Sequence, residues 1–282
     1  MAGSMVLEKK RLVGILENAV KSVITYLRSG QVSFEVVKEG SFGDVSKEFD
    51  VMAESIVVRN LIASGLRDFI LVSEESGVTT YGSSPKWIIV LDPLDGSYNY
   101  EAGIPWSSVS IALAPYKADA KVADIEIALV AEVCRDRVYK YVKGMGCFDN
   151  DSLCRRLSKP SKIILGYFED LRTYEVIPAY WSVKGKTKVR SLGSAALDLI
   201  YVGLSRVEGF VDIRARLRNV DVAAAIAIAE SCGAKTYLCD GESATELRIS
   251  DLTKVKCLIA GFNEDIARTL VSIVKNLNLA PS

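Results

Sequence analysis

Residues 87–100 read WIIVLDPLDGSYNY: an apolar run that ends in two aspartates, with a proline between them and Gly-Ser behind. Trp87 to Leu91 fit a buried strand that delivers Asp92 to its C-terminal end. Pro93 fixes the backbone into a turn. Asp95, three residues on, then faces the same space as Asp92, and Leu94 offers only its carbonyl. Two like charges held that close are costly unless a cation lies between them. Oxygen ligands of this sort suit a hard divalent cation such as Mg²⁺, with few ligands from protein and the rest from water and phosphate. Gly96, Ser97 and Tyr98 follow with backbone N–H groups, and a helix starting here would make them an anion site beside the metal. Metal carboxylates next to a phosphate cradle describe phosphoryl transfer or phosphate hydrolysis. Taken alone, the segment reads equally well as a solvated Asp-Pro-x-Asp-Gly turn.

The rest of the chain narrows the chemistry. Its 282 residues contain no histidine, which removes Ser-His-Asp and Cys-His catalysis and leaves carboxylates, hydroxyls, cations and bound metal. The six cysteines (134, 147, 154, 232, 239 and 257) include no C-x-x-C pair, so no zinc site is expected. They read as buried free thiols of a reducing cytoplasm. With 35 basic and 35 acidic residues, the chain carries no electrostatic footprint for nucleic acid. Its apolar runs are short and interrupted, so no membrane span is expected. The N-terminal MAGSMVLEKKR lacks the apolar segment of a signal peptide.

Leu12, Leu16, Val20, Val23, Ile24 and Leu27 recur at helical spacing, with Gly30 as the stop. A second helix is predicted from about Ser46 to Ser64, with Phe49, Met52, Ala53, Ile56 and Val57 inward and Gly65 closing it. DFILVSEES is a short buried strand ending at Ser73-Glu74-Glu75. SVSIALAP and IEIALVAEV are longer strands, and CRDR turns the second into RVYKYVKG as a hairpin. Beyond about residue 148, strands and helices alternate. KIILGYF is a strand, GSAALDLIYVGL a helix opened by Gly193-Ser194, EGFVDIRARLR a strand, and DVAAAIAIAESCG an Ala-rich helix ending at Gly233. The class is α+β, sheets layered between helices, in one catalytic unit. An N-terminal sub-domain runs to about residue 147 and a C-terminal one follows from about 148.

Five segments occur in a telling order: GDVSKEFDVMAE (43–54), SEES (73–76), WIIVLDPLDGSYNY (87–100), VRSLGSAALDLIYVGL (189–204) and VDVAAAIAIAESCGA (220–234). Together they resemble the inositol monophosphatase superfamily of Mg²⁺-dependent sugar-phosphate phosphatases. The likeness is greatest to the archaeal type acting on both inositol 1-phosphate and fructose 1,6-bisphosphate. That resemblance implies a layered α-β-α-β-α sandwich, two Mg²⁺ ions with a looser third, a homodimer and a cytoplasmic setting. It makes Glu74 a ligand of the first metal, Asp92 the bridge between two, the Leu94 carbonyl a further ligand, and Asp95 with Asp221 the second site. Asp221 also opens the Ala-rich helix, where it would serve as a cap. Asp50 and the Ser97 hydroxyl would polarise the attacking water, and Gly96 and Ser97 N–H groups would hold the phosphate. Asp44, Ser46 and Lys47 would lie on the loop bearing the third ion. Glu75 is expected to face solvent. The sequence departs from the family's pattern in having Ser73, Ser97 and Val220 where glycine, threonine and tryptophan are usual.

The resemblance also locates substrate selection. Gly193, Ser194 and Ala195 match the segment whose backbone approaches the sugar. Seven positions before Asp221, where inositol-specific members carry a glutamate, stands Arg214. An arginine there suits a second phosphate. IRARLR, as a strand, would put Arg214, Arg216 and Arg218 on one face, which reads equally well as a solvated edge. Arg190 and Tyr167 are further candidates for the distal end. The alternatives are a 3′(2′),5′-bisphosphate nucleotidase, with Tyr167, Tyr174 and Trp181 available to an adenine, and a silent metal- or sugar-phosphate-binding regulator. The expected partner is a small sugar or inositol phosphate.

Overall fold

Apolar strands and apolar helix faces can be buried only between layers, and this chain builds five. The computed structural model describes residues 2–39 and 45–280. The first half runs α1 (Ala2–Arg28), β1 (Val36–Glu39), β2 (Val45–Lys47), α2 (Glu48–Ala63), β3 (Phe69–Ser73), β4 (Gly77–Tyr81), β5 (Trp87–Asp95), α3 (Ser97–Glu101), β6 (Ser108–Pro115), β7 (Ile127–Glu132), β8 (Val138–Val142), β9 (Gly146–Asp149) and β10 (Ser152–Leu153). The second half runs β11 (Ser161–Gly166), α4 (Leu171–Tyr174), α5 (Val176–Lys184), β12 (Lys188–Arg190), α6 (Ala195–Gly203), β13 (Val207–Asp212), β14 (Leu217–Arg218), α7 (Asn219–Ser231), β15 (Lys235–Tyr237), β16 (Lys254–Val255), β17 (Leu258–Gly261) and α8 (Glu264–Asn276).

An eight-stranded sheet has the order β10-β9-β8-β7-β6-β5-β3-β4, and a five-stranded sheet the order β12-β11-β13-β17-β15. In the first, only β3 and β5 run parallel; the other neighbours are antiparallel. Helices α1 and α2 bury Leu16, Val20, Val23, Phe49, Ala53 and Val57 against its outer face. Helices α6 and α7 fill the space between the sheets, and α5 and α8 close the far side of the second. Every residue of α7 from Val222 to Ala229 is buried. A helix between two sheets has no solvent face, which explains its polyalanine character and its lack of an amphipathic stripe. Small residues also let α6 and α7 touch: a Cβ on Gly203 would stand 2.8 Å from the Ala229 Cα.

The predicted helices and hairpin are present. α2 ends as expected at Gly65 (φ 88°), whose N–H reaches Ile62 O while the Leu66 N–H reaches Leu61 O, a Schellman closure. Four expectations change. First, β5 continues through Asp95 instead of ending at Asp92. Asp92 pairs with Ser110 and Asp95 with Ser108, so three steps on β5 match two on β6, and the extra residue is taken up as a bulge at Pro93-Leu94. Second, EGFVDIRARLR is not one strand: β13 stops at Asp212, Ala215 adopts φ 60°, and β14 begins at Leu217. Third, the first sheet extends to Leu153 and the second begins at Ser161, so the sequence-derived division near 147/148 falls inside β9. Fourth, the cysteines are not all free thiols. Cys147 pairs with Cys154 and Cys239 with Cys257, leaving Cys134 and Cys232 reduced. Each pair is brought together by tertiary structure that sequence spacing does not reveal.

Candidate active site

The parallel register of β3 and β5 builds the first part of the site. Ser73 lies opposite Leu91, so the next residues, Glu74 just past the end of β3 and Asp92 where the β5 bulge begins, lie side by side. The third carboxylate, Asp221, sits in the first turn of α7, packed against β5. Glu74, Asp92 and Asp221 each offer an oxygen within 4.8 Å of the others. Such an all-oxygen donor set fits a hard divalent cation. The bulge takes Pro93 and Leu94 out of the β6 ladder, and the Leu94 N–H instead donates to Asp92 Oδ1 at 3.0 Å.

The electrostatics match that crowding. Burial first, then Glu74, Asp95 and Asp221, holds the Asp92 carboxyl well above the usual carboxylate range. Glu74 is raised by burial, then by Asp221, Glu75, Asp50 and Asp95. Asp221 is pushed up to about 7 by burial, against the opposing hydrogen bond from the Arg218 N–H. The guanidinium of Arg218 lies 3.0 Å from Glu74 Oε1, a positive charge set among these acids.

Asp95 occupies a different position. Its Oδ2 accepts the Ala196 N–H at 2.8 Å and the Ser194 hydroxyl, and its Oδ1 accepts the Ala195 N–H at 3.2 Å. The Ser108 hydroxyl adds a contact at 3.5 Å. Asp95 thereby holds the N-terminus of α6, with both oxygens engaged, and it is absent from the close carboxylate set of Glu74, Asp92 and Asp221. Burial raises its carboxyl to about 6 against those donors.

Gly96 adopts φ 84°, and a Cβ there would stand 3.0 Å from both Gly193 O and Trp106 O. This glycine lets the 96–97 turn nest against the 193–195 turn. Asn99 clamps the two: its amide donates to Trp106 O at 2.7 Å and Leu192 O at 2.6 Å. Ser97 opens α3, a single turn of five residues with Gly96 at its N-cap.

Asp50, in the first turn of α2, is buried and raised to about 8 by burial and then by Glu75. Glu75 is therefore not turned to solvent. It is half-buried and within electrostatic reach of Asp50 and Glu74. Lys47 pairs with Glu101 and lies 5.2 Å over the Tyr98 ring. Asp44 and the Ser46 side chain lie outside the described residues.

On the predicted sugar side, Ser194 is buried and caps α6. Arg214 stacks on Tyr167, 4.3 Å from the ring centroid, and pairs with both oxygens of buried Asp212 and with Glu169. Arg216 also reaches Glu169, at 2.9 Å. The three arginines of IRARLR thus divide, two to Glu169 and Arg218 to Glu74, because the chain turns at Ala215. Arg190 is exposed on the sheet edge, its guanidinium bonded to the Val189 carbonyl. Tyr174 packs against Phe168, and Trp181 donates to Thr187, so neither forms an aromatic pair with Tyr167.

Asn99 carries no local signal in the sequence, and Arg218 stood out there only as one of three arginines of IRARLR on the predicted sugar side, not beside Glu74. Asp198 was also missed, although a lone acid in the apolar helix AALDLIYVG was a signal. It is fully buried beneath the site, receives the Trp106 Nε1–H at 3.0 Å, and is raised by burial.

Comparison with known proteins fits this arrangement. Residues 9–277 match the Inositol monophosphatase family. An inositol-1-monophosphatase of Aeropyrum pernix is 34% identical over 79% of this chain and 82% of its own. A fructose-1,6-bisphosphatase of Pyrococcus furiosus is 30% identical over 86% and 88%. The crystal structure of the extragenic suppressor protein SuhB from Bartonella henselae, 26% identical, superposes with a TM-score of 0.74, covering 93% of this chain and 98% of that one. With the layered sandwich, the carboxylates gathered at the end of β3 and the bulge of β5, and the family match over nearly the whole length, the chain belongs to the inositol monophosphatase family.

Proposed function

We propose that this phosphoric monoester hydrolase acts on inositol 1-phosphate and fructose 1,6-bisphosphate, with Glu74, Asp92 and Asp221 holding divalent cations of the Mg²⁺ class. The observation that carries the reading is the convergence within 4.8 Å of three carboxylate oxygens, from Glu74 at the end of β3, Asp92 at the β5 bulge and Asp221 in the first turn of α7. Three acids so placed in a half-buried cleft are mutually destabilising unless protonated or neutralised by a cation. Bound there, the cations supply positive charge to the phosphoryl oxygens and acidify water. The same reading takes two cations per chain, the Leu94 carbonyl as a further ligand, a homodimer, a cytoplasmic setting and one catalytic unit from both halves of the chain.

The chain's own part is positioning and proton handling. Gly96 and Ser97 present their backbone N–H groups to the phosphate, and the Ser97 hydroxyl orients the attacking water together with Asp50. Asp50 accepts a proton from the attacking water; a basicity raised by burial and by Glu75 suits that role. Asp95 keeps α6 seated, and with it Gly193, Ser194 and Ala195 against Gly96. For a bisphosphate, the relevant feature is the meeting of Arg214 and Arg216 at Glu169. A second phosphate exchanging with that carboxylate would meet two guanidinium groups. Names of the relatives support both substrates, since they include an inositol-1-monophosphatase and a fructose-1,6-bisphosphatase. The test is phosphate release from the two esters and from adenosine 3′,5′-bisphosphate, with Mg²⁺ and with chelator. Mg²⁺-dependent turnover of the first two is expected. Preference for the nucleotide, or no turnover at all, would refute the assignment.

A further inference from the structure

Arg218 adjoins the carboxylate cluster without being one of its acids. Its side chain is only 8% exposed, with Nη1 3.0 Å from Glu74 Oε1. Its backbone N–H donates at 2.8 Å to Asp221 Oδ2. It therefore touches two of the three residues whose oxygens converge. Both contacts follow from local structure: Arg218 ends β14 and immediately precedes α7, so its backbone meets Asp221 while its side chain reaches across to the end of β3.

A guanidinium keeps its charge at any pH the protein survives. A divalent cation entering among Glu74, Asp92 and Asp221 must share Glu74 with it. Two routes are open. Arg218 stays on Glu74 and repels the cation across a poorly solvated cleft, or it withdraws and gives up a nearly buried ion pair. Both routes weaken cation binding, and both leave the cation-free protein better neutralised. We infer that Arg218 is a resident counter-charge that competes with the divalent cation for Glu74 and sets the cation concentration at which the site fills. This rests on the metal-site reading above and assigns Arg218 a positioning role that the acids alone do not supply.

The sign of the effect separates this role from a merely structural one. If Arg218 only braced the start of α7, its loss would loosen Asp221 and weaken cation binding. As a competitor, its loss tightens binding while the cation-free protein becomes less stable. Calorimetric titration with Mg²⁺ and with Mn²⁺, on wild type, Arg218→Gln and Arg218→Lys, reads the first effect. Melting in chelator reads the second. Arg218→Gln is expected to bind at least about threefold more tightly than wild type, with a lower melting temperature in chelator, and Arg218→Lys to fall between them. Equal or weaker binding by a folded Arg218→Gln overturns the inference while leaving the metal reading intact. Absence of cation uptake by wild type overturns both. Should Arg218→Gln not fold, the wild type still decides. The Nε–H resonance of Arg218, assigned by its loss in Arg218→Lys, should shift at the same midpoint as cation binding. A resonance unmoved at saturation refutes the competition.

Discussion

Replacing Asp95 with alanine tests whether this residue holds α6, and the size of the effect follows from its surroundings. The substitution strands the Ala195 and Ala196 N–H groups in a buried pocket and leaves the Ser194 hydroxyl only its 3.3 Å contact with the Ser108 hydroxyl. At about 1–3 kcal/mol for each unpaired buried donor, the two N–H groups cost about 2–6 kcal/mol. Against it stands relief of a buried charge. The carboxyl is raised from 3.8 to about 6, and every tenfold gain in its proton affinity marks about 1.4 kcal/mol lost by the charged form. A folded-state value above the unfolded one means that stability is fully present below the unfolded value and is lost as pH rises to the folded value. At pH 8 both states are ionised and the charge penalty is fully felt by wild type. At pH 5 the folded carboxyl is mostly protonated and still accepts its hydrogen bonds. Asp95→Ala therefore costs more at pH 5 than at pH 8, by about 1–2 kcal/mol. Equilibrium urea unfolding in chelator at the two pH values, on wild type and variant, measures the difference. A neutral substitution at pH 5, or a larger loss at pH 8, would refute the reasoning.

The same linkage applies to the site as a whole. Asp95, Asp221 and Asp50, raised to about 6, 7 and 8, should make the cation-free protein melt lower as pH rises from 4 to 8, and saturating Mg²⁺ should flatten that slope; a melting temperature rising with pH in chelator contradicts it. Cys239→Ser opens a loop closed between residues 18 apart and should cost about 3 kcal/mol in unfolding free energy, while alkylation of the denatured, unreduced chain should label only Cys134 and Cys232. Labelling of all six cysteines before reduction would contradict both disulfides. Arg214→Lys, which keeps a charge beside Asp212 but not the planar fork, should raise KM for fructose 1,6-bisphosphate roughly fivefold and leave KM for inositol 1-phosphate unchanged; equal effects on both would remove Arg214 from distal phosphate binding.

The elements that carry strong local pattern were legible in the sequence. Helix α1 follows its apolar spacing, α2 ends where Gly65 must take a left-handed conformation, and the apolar run before Asp92 is a buried strand. Glu74, Asp92 and Asp221 were legible as a set through family resemblance, and the parallel register explains why two of them meet. What the sequence hid depends on side chains choosing among distant partners. Asp95 faces the α6 N-terminus because the bulge at Pro93-Leu94 turns it there, one hundred residues away in the chain from Ala195. IRARLR alternates like a strand, yet Ala215 turns the backbone and sends Arg218 to Glu74. Glu75 looked like a surface residue in a turn, but it is half-buried, with Asp50 of α2 within its electrostatic reach. Four cysteines without a motif were paired by loops whose geometry no spacing rule supplies.

The central claim is that Asp92, with Glu74 and Asp221, holds the cation on which phosphate release depends. Phosphate release by wild type and Asp92→Asn, with Mg²⁺ uptake followed calorimetrically on the same samples, tests it directly. Loss of a charge contribution of several kcal/mol predicts a rate reduced by about a thousandfold or more in the folded variant, together with weakened uptake. Wild-type turnover in chelator, or undiminished turnover by Asp92→Asn, would contradict the account.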